Sequence, residues 1–117
     1  MDRLFARLRA IRRFRQRHLG FLETIADYDI VLEIGYFQES GRPLSMKQLH
    51  LLGICSVPTL QRRLRKLRQA GAIVQKKLAH DARAVQLTLS PRVLKIYQRY
   101  AACLHANVCG PAPNAER

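Results

Sequence analysis

The stretch from Ser45 to Gly71 constrains the chain most, because it spells out two helices and the turn between them. Ser45 followed by Gln48 is an S-x-x-Q capping box, which fixes a helix start. The short helix that follows carries Leu49 and Leu52 inward and stops near Gly53. Ile54, Cys55 and Ser56 make a tight turn, with Cys55 read as a small buried hydrophobe. Ser56 caps the next helix, and Pro58 falls in its first turn, where the missing N–H costs nothing. Val57, Leu60, Leu64 and Leu67 form one apolar stripe, and Gly71 closes the helix as a C-cap.

The period changes after Gly71. Residues Ile73–Leu78 and Ala84–Leu89 read as strands, and His80-Asp81-Ala82-Arg83 as the turn of a β-hairpin. Ser90 caps a last helix with Pro91 at its first position and a stripe of Val93, Leu94, Tyr97, Tyr100, Ala101 and Leu104. Upstream, Leu4, Leu8, Ile11 and Phe14 recur at helical steps from Asp2 to about His18, with Gly20 as the stop. A second helix runs from about Thr24 to Gln38, with Ile25, Tyr28, Val31, Leu32 and Tyr36 as inward candidates and Gly35 as a weak point. Four segments follow: a 1–20 Arg-rich helix for dimerisation or DNA backbone contact, a 21–90 core domain, a 91–106 helix, and a 107–117 tail without periodicity, expected to be disordered.

Charge is sorted along these segments. The 117 residues carry 21 Lys+Arg against 8 Asp+Glu, a formal +13. Such an excess favours a polyanionic partner, most often nucleic acid. Met1 to Gly20 holds seven arginines and one acid. The next twenty residues hold Glu23, Asp27, Asp29, Glu33 and Glu39 and no Lys or Arg. Between Pro58 and Lys77 stand Arg62, Arg63, Arg65, Lys66, Arg68, Lys76 and Lys77, with no acid. A single-sign helix carries (i, i+4) repulsion, and phosphate binding is the commonest reason to tolerate it.

Short capped helix, tight turn, basic helix and basic hairpin together make a helix-turn-helix with a β-wing. The fold class is α+β and mainly helical: a winged helix-turn-helix with a two-stranded wing and flanking N- and C-terminal helices. The second helix of such a motif fits the major groove of duplex DNA. With Leu60, Leu64 and Leu67 turned in, Pro58, Arg62, Arg65, Lys66 and Gln69 point away from the core. Thr59, Gln61 and Arg62, near the N-terminal end, are assigned to base readout, Arg62 being suited to guanine. Arg65 and Lys66 suit phosphates or a second base, with Ser56 and Pro58 at the helix start and Lys76 on the hairpin completing the set. Arg63 and Arg68 fall to the sides, as solvated residues. Asp27 and Glu33, six residues apart, share no face and read as counter-charges rather than an acid/base pair.

The runs Leu44-Ser-Met-Lys-Gln-Leu49, Ser56-Val-Pro-Thr-Leu60, Leu67-Arg-Gln-Ala-Gly71-Ala-Ile-Val74 and Asp81-Ala-Arg-Ala-Val-Gln-Leu-Thr-Leu89 resemble the MarR type of winged-helix repressor from Leu44 to Ser90. The Asp81-x-Arg83 wing followed by Leu-Thr-Leu is the most specific part. The resemblance implies that Arg83 reaches the minor groove while Asp81 holds it in place. It also implies a two-fold homodimer built from N- and C-terminal helices on near-palindromic duplex DNA, regulating transcription by operator occupancy. The chain is shorter than is usual for that family, with one helix after the wing.

Other classes are weighed and set aside. No apolar run approaches the roughly 18 residues of a membrane span, and no secretory signal is recognisable. A basic helix lying on a membrane is disfavoured by a narrow apolar face without Trp. Three cysteines without CxxC spacing point to a reducing, cytoplasmic setting. Cys103, His105 and Cys109 lack the spacing and the fourth ligand of a metal site. No nucleophile motif, Walker loop or Gly-rich cradle is present, so the expectation is a non-enzyme without cofactor or metal. A small-molecule effector finds no support in the residues. The alternatives are a winged-helix adaptor for protein or RNA, and a replication- or phage-type DNA binder.

Overall fold

The computed structural model describes residues 3–78 and 81–108, with backbone alone at 78 and 81–84. Its elements are α1 (Leu4–His18), α2 (Ile25–Glu39), α3 (Met46–Leu51), α4 (Val57–Gln69), β1 (Ile73–Leu78), β2 (Asp81–Leu89) and α5 (Pro91–Val108). They fall into two compact units, one of residues 21–93 and one in which 1–20 joins 94–117.

In the 21–93 unit each helix start is written in its cap. Thr24 caps α2 with a full box: its hydroxyl accepts from the Asp27 N–H (3.1 Å) while the Asp27 carboxylate accepts from the Thr24 N–H (3.1 Å). Ser45 and Gln48 form the expected box at α3, at 2.9 and 3.1 Å. Ser56 caps α4, with Pro58 in the first turn. At the far end of α4, Gly71 takes φ +75°, a conformation that disfavours any residue with a Cβ.

β1 and β2 form an antiparallel ladder from Ile73↔Leu89 to Lys77↔Val85, then slip so that Leu78 faces Asp81. Asp81, Ala82 and Arg83 belong to the strand rather than to the turn expected there; His80 lies outside the described residues. The chain just before α3 adds to the sheet edge: the Leu87 N–H donates to the Leu44 carbonyl (2.8 Å), and Ser45 bridges Gln86. Helix α2 ties down the strand end, since the Leu89 N–H donates to Gln38 Oε1 (2.7 Å). Gly35 lies close to the strand: a Cβ there would meet Leu89 Cδ1 at 3.1 Å, so that side chain would have to give by a few tenths of an ångström. Leu22, Ile30, Val31, Ile34, Leu44, Leu49, Leu60, Leu64, Leu67, Leu87 and Val93 fill the core. Each such side chain contributes roughly 1.5–3 kcal/mol by leaving water.

Several sequence expectations need correction. On helix α2, Val31 is buried as expected and Tyr28 half-buried, but Ile25, Leu32 and Tyr36 are exposed, and Asp27, Ile30 and Ile34 face in. Its apolar residues surround the axis, so hydrophobicity alone could not set the phase; a buried ion pair at Asp27 does. Leu52 lies past the end of α3 and is exposed, and Cys55 is half-exposed rather than buried.

In the other unit, α1 starts at Leu4 and ends before Gly20, at a C-cap on Leu19 whose N–H donates to the Arg15 carbonyl (2.8 Å). Ile11 and Leu19 are buried, but Leu4 and Leu8, expected inward, are exposed. Phe14 stacks on Tyr100 (5.5 Å between centroids) and packs on His18 (4.5 Å), and Tyr97 meets Tyr100 edge-on. Helix α5 reaches Val108, two residues beyond expectation, with Leu94, Tyr97, Tyr100 and Leu104 half-buried and Ala101 exposed. The tail expected to be disordered lies, from 109 on, outside the described residues.

Candidate nucleic-acid interface

Helix α4 has two sides with different chemistry. The inner side is Leu60, Leu64 and Leu67, each no more than 3% exposed, joined by one arginine. Arg63, expected at the solvated flank, is buried. Its Nε donates to Asp27 Oδ1 (2.7 Å), and its Nη2 donates to Asp27 Oδ2 (2.6 Å) and to Glu23 Oε1 (3.0 Å). This is a planar fork on a carboxylate, the arrangement in which arginine is strongest. The Asp27 carboxylate also accepts the backbone N–H groups of Glu23 (2.8 Å) and Thr24. Burial by itself would raise the Asp27 carboxyl. The Arg63 hydrogen bonds, then the two backbone N–H bonds, outweigh it and hold the group below the ordinary carboxylate range. The hydrogen bonds Arg63 donates to Asp27, then to Glu23, hold its guanidinium charged in return.

The cap of α2 and the inner side of α4 are thus one network, and the counter-charge role expected for Asp27 is met by Arg63. Arg63 was missed because it was counted among the basic residues. Its position, three after Leu60 and four before Leu67, places it on the apolar stripe.

The outer side carries what the sequence assigned to it. Pro58, Gln61, Arg62, Arg65 and Lys66 are all exposed. Ser56 and Thr59 are committed to each other, since the Ser56 hydroxyl donates to Thr59 Oγ1 (3.0 Å) and accepts from the Thr59 N–H (3.4 Å). Thr59 keeps its hydroxyl proton to donate elsewhere. Lys66 Nζ lies 3.8 Å from the Glu23 carboxylate, a solvent-exposed pair of little energetic weight. Arg68 is exposed but joined to β1, its Nη1 donating to Gln75 Oε1 (2.6 Å). An open cleft of about 210 Å³ between α3, α4 and β1 is lined by Met46, His50, Gln61, Leu64, Arg65, Arg68 and Gln75. Two guanidiniums and two side-chain amides on one rim suit an anion. On the wing, Lys76 and Lys77 are exposed on β1, and Asp81 and Arg83 stand on β2 with side chains outside the described part.

No protein-family model and no curated protein matches the chain. Solved structures do. MarR is 25% identical, with 90% of this chain and 80% of that one covered and a TM-score of 0.53. NadR in complex with 4-hydroxyphenylacetate is 25% identical, with 86% and 68% covered and a TM-score of 0.60. The transcriptional repressor CouR, bound to a 23-mer DNA duplex, is 17% identical, with 87% and 69% covered and a TM-score of 0.58. A MepR variant of S. aureus, 18% identical, is spanned over 65% of its length. The chain thus covers about two thirds to four fifths of the length of these structures. The class is a winged helix-turn-helix. Within it the arrangement is that of the MarR-type regulators, as the Asp81-x-Arg83 wing and the paired caps led one to expect.

Proposed function

We propose that the chain is a sequence-specific, double-stranded-DNA-binding transcription regulator and not an enzyme, acting in the cytoplasm as a homodimer that represses by occupying its operator. One observation carries this reading: α4 is clamped from inside by three leucines and the Arg63–Asp27 pair, while Gln61, Arg62 and Arg65 are exposed on its outer side. A rigid helix with a cationic outer side is what groove recognition requires. Similarity to MarR and to DNA-bound CouR supports it. Thr59, Gln61 and Arg62 read bases. Arg65, Lys66 and Lys76 hold phosphates, with Ser56 and Pro58 presenting the helix start. Arg83 enters the minor groove, steadied by Asp81. Among the described residues, no helix is long and apolar enough to cross a membrane.

The test is selection of bound sequences from a random duplex pool, which should return a near-palindrome. With about four phosphates neutralised per protomer, log K should fall with log salt at a slope near −7; a slope near zero would remove the phosphate contacts. Arg62→Ala should relax base preference by about 1–3 kcal/mol at one position of each half-site. If it weakened all sequences equally, Arg62 would be a backbone contact.

A further inference from the structure

Helix α1 displays a cationic face of its own. Arg9, Arg12, Arg13, Gln16 and Arg17 fall at i, i+3, i+4, i+7 and i+8, one continuous side of a helix, and all five are exposed. The other two arginines of the helix, Arg7 and Arg15, are half-buried, and Arg15 Nε is closed off from solvent. The described part of the unit to which α1 belongs holds no acid: residues 3–20 carry seven arginines, and residues 94–108 carry Lys95 and Arg99. Among the described residues no ion pair offsets the exposed arginines of α1, whereas on α4 both Arg63 and Lys66 meet Glu23. Arg9 with Arg13, and Arg13 with Arg17, are like charges one turn apart, and they repel. The excess is felt nearby, for after burial the charges of Arg99 and Arg17 disfavour protonation of His18.

We propose that the Arg9–Arg13–Arg17 line of α1, flanked by Arg12 and Gln16, binds the phosphate backbone of duplex DNA without regard to sequence. This surface adds to the α4 contacts of the reading above and does not depend on them. Successive arginines of the line stand about 6 Å apart along the helix axis. A row of that length exceeds a single carboxylate and fits a polymer of phosphates, and duplex DNA carries one charge per ~1.7 Å of its axis. Guanidinium forks grip phosphate oxygens in pairs, and the Gln16 amide donates to the same backbone. The side opposite the line is in use within the unit: Ile11 is buried and Phe14 stacks on Tyr100. This stretch of helix therefore has no free apolar stripe to lay into a membrane.

The test is a salt titration of the full chain on a random-sequence duplex, followed by fluorescence anisotropy. One variant combines Arg9→Gln, Arg13→Gln and Arg17→Gln. It is made in the parent and in a chain stripped of its exposed α4 cations by Arg62→Ala, Arg65→Ala and Lys66→Ala. Circular dichroism checks folding, and a control with Arg9→Lys, Arg13→Lys and Arg17→Lys keeps the charge. In both backgrounds the Gln variant should bind at least about tenfold more weakly at low salt, and the slope of log K against log salt should shrink by about 2.7 for each chain bound. The Lys control should keep the parent slope. Binding that survives removal of the α4 cations and then falls with the α1 arginines supports this surface by itself, whatever becomes of the α4 reading. A slope that the Gln variant leaves unchanged, or that the Lys control loses as well, overturns the proposal. So does a sedimentation coefficient that differs between parent and Gln variant without DNA, which would make the face a contact between subunits. Phosphatidylglycerol vesicles that displace the chain from duplex as well as free duplex does would overturn it in favour of a membrane surface.

Discussion

Helices α4 and α1 are both arginine-rich, yet α4 buries three leucines and one of its arginines, whereas α1 buries Ile11 alone. The start of α4 is capped by a serine side chain. At α1 the capping position is Arg3, with a left-handed φ of 60° and no side-chain bond. The same residue type therefore does different physical work. On α4 one arginine is turned inward to fix the helix, so that its neighbours are displayed in a set direction. On α1, Arg9, Arg12, Arg13 and Arg17 are exposed beside an apolar side that solvent touches. Charge count alone equates the two helices; burial separates them.

The largest effect expected from this contrast is at Asp27. Asp27→Ala would leave the buried Arg63 with the exposed Glu23 carboxylate as its remaining acidic partner and should destabilise the protein by about 3 kcal/mol, read by urea denaturation. Arg12→Ala, on the exposed side of α1, should stay within about 0.5 kcal/mol. Asp27→Asn with Arg63→Leu should recover most of the loss, because the amide oxygen still accepts the Thr24 N–H of the cap and no charge is stranded. An Asp27→Ala protein as stable as Arg12→Ala would mean that the clamp on α4 is ornamental. The pair also sets an acid limit. The Asp27 carboxyl is held below its unfolded value, so its contribution is complete above about pH 5 and is lost as pH falls through the folded value, below about 3.9. An Asp27→Asn chain should lack that acid-side decline.

A smaller effect separates the two helix starts. Ser56→Ala removes the acceptor for the Thr59 N–H and should cost about 1 kcal/mol, while also freeing Thr59 Oγ1 from its present donor. No comparable loss is available at α1, where the capping residue makes no side-chain bond. Equal and negligible changes for Ser56→Ala and Arg3→Ala would erase the distinction.

The caps, the Leu60–Leu64–Leu67 stripe and the two strands were legible in the sequence because each rests on local spacing. The outer face of α4 followed by rotation from that stripe. What could not be read were matters decided at long range. The phase of α2 depends on a carboxylate meeting a guanidinium 36 residues away. Both partners were visible singly, Asp27 as a counter-charge and Arg63 as a cation, but a charge rule sends each to solvent. The inward spacing of Arg63 was the signal that outranked it. Strand β2 begins earlier than expected because the ladder slips between Lys77 and Leu78, and composition does not announce a slip. The apolar residues of α1 have the right period for a buried stripe, yet periodicity shows only that a face exists and is silent on what covers it.

The smallest effect belongs to the region of α1, and it has its own pH window. His18 packs on Phe14 at the last turn of α1. Burial first, then the charges of Arg99 and Arg17, disfavour its protonated form and lower its pKa. An unfolded chain binds that proton with a pKa of about 6.5, so it takes up more protons than the folded chain as pH drops below that value. The stability that His18 contributes as a neutral ring is complete above about pH 6.5 and declines as pH falls towards its folded value. This window lies well above the one set by Asp27, so the two regions can be told apart by titration alone. The melting temperature should fall between pH 7.5 and pH 5.5 in the parent chain and less so in His18→Gln. Added salt should shrink the difference by screening Arg99 and Arg17 while leaving the desolvation part in place. If parent and variant lose the same melting temperature over that interval, the charge environment of α1 does not reach His18, and the contrast with the ion pair on α4 narrows to packing alone.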